Sequence, residues 1–128
     1  MKDKILIVDD ELDVCNFLKE SLSYHGYEVD IAIKGEEALK CLGEKTYQAL
    51  FIDIRLSSRV SGIDVIKACR DMAVRPRILV ISATPERYLN PTFQEEKISG
   101  VIDHVLEKPS GLKPDYLLGK LSSALRKS

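Results

Sequence analysis

Five apolar runs, each followed by a stretch with helical periodicity, constrain this chain more than any other feature. "KILIV" (4–8), "YEVDIAI" (27–33), "YQALFIDI" (47–54), "RILVIS" (77–82) and "GVIDHVLEK" (100–108) read as strands. After the first run, Cys15, Leu18 and Leu22 recur at i, i+3, i+7, one face of a helix that Gly26 can stop. "KGEEALKCLGEK" supplies a second helix with Ala38, Leu39 and Leu42 on its apolar side, and a third is expected from about Ile63. Residues 83–99 contain Pro85 and Pro91, which predict a loop and one short helix from about Thr92. The last helix is expected over 113–127, with Leu118, Leu121 and Leu125 on one face. Such a β-then-α alternation predicts an open parallel sheet with helices on both faces, and the continuous apolar strands suit a sheet covered on both sides.

Ligands of open parallel sheets bind outside the carboxyl ends of the strands. The first run ends in Asp9, Asp10 and Glu11, the third in Asp53, the fourth in Ser82 followed by Ala83 and Thr84, and the fifth in Lys108 and Pro109. A parallel sheet therefore gathers acids, a hydroxyl and a lysine along one edge. Two unit charges roughly 4 Å apart at an effective dielectric near 20 interact with about 4 kcal/mol, so the acids of "VDDE" need a cation, a proton or open water. Clustered carboxylates form a hard oxygen site suited to Mg²⁺ or Mn²⁺. A lysine and a hydroxyl opposite them could hold phosphoryl oxygens. Asp53 could then be a metal ligand or a nucleophile that forms an aspartyl phosphate.

Bulk properties narrow the field. The 128 residues suit one domain, 45% are hydrophobic and 30% charged, and the net charge of −1 gives no electrostatic reason to expect nucleic acid or anionic lipid as a partner. No apolar run approaches a membrane span, and the N-terminus enters a strand without a signal-peptide layout, so a cytoplasmic protein is expected. Cys15, Cys41 and Cys69 are isolated and read as small hydrophobes in a reducing compartment. His25 and His104 lack ligand partners at metal-site spacing.

The stretches "ILIVDDE", "FIDIRL", "ILVISA" and "EKP", in this order, resemble the receiver domain of two-component response regulators, across nearly the whole chain. The resemblance implies a doubly wound, flavodoxin-like α/β fold with five strands in the order 2-1-3-4-5. It implies a phosphorylation switch in which Asp53 accepts the phosphoryl group, Asp9, Asp10, Asp53 and the Arg55 carbonyl hold Mg²⁺ or Mn²⁺, and Ser82 and Lys108 contact the phosphoryl oxygens. Lys108–Pro109 would be a cis peptide. The donor would be a sensor histidine kinase or phosphotransfer protein, and the domain's own chemistry would stop at transfer to itself and slow autodephosphorylation. Residues 1–128 are then one receiver domain with no output domain in this chain. A downstream protein would be contacted through the fourth helix, fifth strand and fifth helix, with Tyr116 and the "RK" near the end as contacts. A homodimer is also compatible.

Four features depart from the family pattern or tune it. The loop after Asp53 reads "LSSRVSG", without the usual proline and with Gly62 one residue late. The segment from Ser82 to Gly100 is longer than usual. The aromatic residue that rotates in the switch is replaced by Val105, with His104 beside it, and one extra residue between Gly100 and Lys108 raises the expectation of a bulge that decides which of the two faces inward. Arg55 and Thr84 stand where the family tunes access of hydrolytic water. Glu11 is expected only to favour the helix N-terminus, and capping by Asp9 or Asp10 is the plain rival to metal binding. A degenerate receiver serving as an interaction or dimerisation module is the alternative reading. An aspartate-nucleophile phosphatase would want D-x-D-x-[TV], and a flavodoxin-like cofactor binder a Ser/Thr/Gly-rich loop after the first strand; neither is present.

Overall fold

The sheet is built from β1 (Lys4–Val8), β2 (Glu28–Ala32), β3 (Ala49–Asp53), β4 (Arg77–Ser82) and β5 (Ile102–Glu107). All pairings are parallel and the order is β2-β1-β3-β4-β5, as expected from the resemblance. The computed structural model describes residues 2–126. The helices are α1 (Leu12–Tyr24), α2 (Gly35–Glu44), α3 (Gly62–Arg70), α4 (Glu86–Glu95) and α5 (Pro114–Arg126), with 3-10 turns at Ser99–Val101 and Ser110–Leu112. Lys127, placed in the last helix by its sequence, lies outside the described residues.

Strand residues alternate between two cores, as the period of two requires. Leu6, Val8, Leu50, Ile52, Ile78 and Val80 pack with residues of α2, α3 and α4, including Ala38, Val65, Ile66 and Phe93. Ile5, Ile7, Phe51, Leu79, Ile81 and Leu106 pack with Cys15, Leu18 and Leu22 of α1 and Leu117, Leu121 and Ala124 of α5. Both faces of the sheet are covered, which leaves the strand ends as the accessible edge. The buried stripe of α5 is centred on Leu117, Leu121 and Ala124; Leu118 and Leu125 flank it, half-buried.

Residues 83–99 differ from expectation. The helix begins at Glu86, not near Thr92, and runs ten residues with Pro91 inside it. Pro85 lies at its N-cap, where no backbone N–H is required, and Pro91 is exposed and forfeits one intrahelical bond. Burial of Leu89 and Phe93 on one face offsets that loss. The helix ends with Lys97 in the left-handed region at φ 60°, and Ile98 N–H donates to Phe93 O at 3.0 Å. From α3, the Arg70 guanidinium donates to Glu96 O and Lys97 O at 3.4 and 3.2 Å, and Lys67 pairs with Glu96. These bonds fasten the end of α4 to its neighbour.

The extra residue before Lys108 is a β-bulge. Ile78 pairs with Ile102 but Leu79 pairs with His104, so Asp103 is passed over. Its carboxylate accepts the Ile78 N–H at 2.8 Å. Downstream the ladder is regular through Ser82 and Glu107, which brings Lys108 to the site edge. Val105, paired with Val80, packs toward the α4 side, while His104, paired with Leu79, faces the α1/α5 side.

Candidate functional site

Charge explains how this edge is organised. Asp9, Asp10 and Asp53 each bring a carboxylate oxygen within 4.8 Å of the others. Asp9 is fully buried and Asp53 nearly so. Lys108 inserts its ammonium between them, 2.7 Å from Asp9 Oδ2, 2.8 Å from Asp53 Oδ2 and 3.1 Å from Glu11 Oε1. Burial works against the charged lysine, but its bonds to Asp53 and Asp9 outweigh this and hold its pKa above the ordinary value. Burial also pushes the Asp9 carboxyl upward; Lys108 and the Glu11 N–H pull it back, Asp53 pushes it up again, and the net shift is upward.

Each side chain is placed by local structure. Asp9 Oδ1 accepts the Glu11 N–H at 2.9 Å, closing a tight turn that leaves Oδ2 for Lys108. The N-cap of α1 is Glu11, whose side chain makes no cap bond, so capping does not account for either aspartate. Asp53 Oδ1 accepts the Arg55 N–H at 2.9 Å, and Ser82 Oγ accepts the Thr84 N–H at 2.9 Å. Ser82 is buried, Ala83 and Arg55 are exposed, and Thr84 is half-buried. The Lys108–Pro109 bond is cis, and Lys108 N–H donates to Ser82 O at 2.8 Å.

The unusual "LSSRVSG" loop is held by its serines. Asp10 Oδ2 accepts both the N–H and the hydroxyl of Ser57, at 3.0 and 2.7 Å. Ser58 Oγ accepts the Gly35 N–H at 3.0 Å and donates to Val60 O at 2.8 Å, tying the loop to α2. Ser61 and Asp64 form a reciprocal capping box that starts α3. Gly62, the first residue of α3, lies so close to the end of β3 that a Cβ would press on Asp53 O and Ile54 Cα. Ser57 and Glu11 were not among the site residues expected from sequence. Nothing local marks them; their partners lie 47 and 97 residues away.

The response regulator receiver domain family model matches residues 5–118. The chain belongs to that family. The response regulator MprA of Mycobacterium ulcerans is 31% identical over 131 residues, spanning all of this chain and 52% of that protein. This receiver spans about half the length of the curated relatives it matches. Among solved structures, the response regulator TrrA of Thermotoga maritima, in complex with Mg(2+)-BeF, is 31% identical with a TM-score of 0.79, covering 97% of this chain and 99% of that one. The chemotaxis response regulator CheY4 of Vibrio cholerae is 25% identical with a TM-score of 0.81 over the same shares. Among the described residues of the receiver, no helix is long and apolar enough to cross a membrane.

Proposed function

We propose that this receiver is a phosphorylation-dependent signalling switch whose acceptor is Asp53. The observation that carries the reading is the ammonium of Lys108 paired with the buried Asp53 and Asp9 at 2.8 and 2.7 Å, with the exposed acid Asp10 beside them. A carboxylate oxygen of Asp53 attacks phosphorus, and an O–P bond forms. The P–N bond of a phosphohistidine breaks, and its electron pair stays on the imidazole, which takes up a proton as it leaves. In hydrolysis, water takes the phosphoryl group as inorganic phosphate and the Asp53 carboxylate is restored.

Asp9, Asp10, Asp53 and the Arg55 carbonyl would hold Mg²⁺, which when bound neutralises charge on the phosphoryl oxygens. Three hard oxygen donors converging within 4.8 Å fit that ion, and the TrrA structure, with Mg(2+)-BeF, supports the parallel. Lys108 and Ser82 would hold the remaining phosphoryl oxygens, while Arg55, Ala83 and Thr84 stand at the rim and set access of water. The donor would be a sensor histidine kinase or phosphotransfer protein in the cytoplasm, with residues 1–128 acting as one receiver unit. A downstream protein, or a second copy, would read the α4–β5–α5 face, where Glu86, Val105, Glu107, Lys113 and Tyr116 line an open groove.

Val105 cannot rotate as an aromatic would, and His104 faces away from that groove. This favours, as a second reading, a receiver whose interactions do not depend on phosphorylation. Intact mass after incubation with Mg²⁺ and acetyl phosphate, beside Asp53→Asn, decides between them. A Mg²⁺-dependent gain of one phosphoryl group, lost in the variant, is expected. No gain, together with no beryllofluoride binding, would overturn the switch.

A further inference from the structure

Glu11 has no role in the proposed phosphoryl chemistry, yet it is the third acid on the lysine. Its Oε1 lies 3.1 Å from Lys108 Nζ, and its side chain is 62% exposed whereas that of Lys108 is 11% exposed. At the N-cap of α1 the Glu11 carboxylate makes no cap bond, the role of shorter polar side chains, and turns to the ammonium instead. Its backbone is pinned by the Asp9 carboxylate at 2.9 Å, so the side chain is aimed from a fixed point. The Lys108 ammonium thus faces three acids: it donates to Asp53 and Glu11 and pairs by charge with Asp9, so two of its partners are buried and one is exposed and releasable.

We infer that Glu11 is a positioning residue for Lys108. It holds the ammonium toward the outer side of the pocket, and an incoming phosphoryl group must displace it to engage the lysine. This rests on Asp53 being the phosphoacceptor. Because Glu11 is exposed, its hold is weak and reversible, the size of a solvent-accessible ion pair. Shortening or neutralising it removes the competitor without touching the acceptor or the expected metal ligands.

The test separates position from charge. Glu11→Gln removes the charge; Glu11→Asp keeps it but is one methylene shorter and loses the contact. The rate of phosphorylation by acetyl phosphate at saturating Mg²⁺ and the affinity for beryllofluoride are measured for both variants and for wild type. Solvent exchange of the Lys108 ammonium protons is followed by NMR in the metal-free proteins. We expect both variants to gain about two- to fivefold in rate and in beryllofluoride affinity, and to show faster ammonium exchange. If Glu11→Asp matches wild type while Glu11→Gln is faster, Glu11 acts only as a charge and the positioning role is overturned. Equal behaviour of all three overturns it too. If wild type takes no phosphoryl group and binds no beryllofluoride, Asp53 is not the acceptor and the inference falls with that reading.

Discussion

Lys108 Nζ and Asp53 Oδ2 meet at 2.8 Å although 55 residues separate them. The contact joins the end of β5 to the end of β3 across the intervening β4. Removing the lysine leaves the buried Asp9 and Asp53 carboxylates facing each other with no cation between them. Lys108→Ala should therefore destabilise the metal-free protein by about 3 kcal/mol, the scale for breaking a buried ion pair. Urea denaturation with and without Mg²⁺ checks this. Added Mg²⁺ should recover more stability in the variant than in wild type.

Gly62 and Gly43 should respond in opposite directions to alanine. A Cβ at Gly62 meets the Asp53 carbonyl and Ile54 backbone, which cannot swing away. Gly62→Ala should cost roughly 1–3 kcal/mol and, if Asp53 is the proposed acceptor, slow phosphorylation, because the end of β3 must move. Gly43 lies in α2 with open space around it, so Gly43→Ala should stabilise by about 0.5–1 kcal/mol. Denaturant midpoints of the two variants check the pair.

At the opposite edge of the sheet the Tyr47 hydroxyl donates to Asp30 Oδ2 at 2.6 Å, and Lys45 pairs with the same oxygen at 3.0 Å. The Tyr47 bond, against the opposing effect of burial and with help from Lys45, lowers the Asp30 pKa below its ordinary 3.8. A carboxyl with a lowered folded pKa stabilises above its unfolded value, and that contribution fades as pH falls through the folded value. Tyr47→Phe should therefore lose stability by a constant amount between about pH 5 and 8, and the deficit should shrink below about pH 4. Burial, then Asp30, pushes the Tyr47 phenol up, so its contribution is full below the ordinary 10.0 and fades only in stronger alkali. Stability curves against pH for wild type and Tyr47→Phe give the test.

Thiol chemistry should discriminate the three cysteines. Burial, followed by the nearby Asp9 charge, pushes the Cys15 thiol up to about 11, and burial alone does the same for Cys69. Cys41 is half-buried. In native protein at neutral pH one thiol should react promptly with a disulfide reagent, and peptide mapping should place it at Cys41. All three should react in denaturant.

The five strands, their parallel sense and the acids, hydroxyl and lysine at their ends were legible in the sequence because each signal is local. An apolar run broken by a charged residue marks a strand end wherever it occurs, as in "LIVDD" and "FIDIR". What the residues around Pro85 and Pro91 do was not legible. Local propensity argues against a helix there, and only the packing of Leu89 and Phe93 against the sheet outweighs it. The extra residue in β5 could be counted in the sequence, but whether it bulges at Asp103 depends on the Ile78 N–H of a neighbouring strand. Ser57 on Asp10 and Glu11 on Lys108 are the same kind of fact. Their partners are remote in the chain, and only the sheet register, a property of the whole fold, brings the paired atoms within bonding distance.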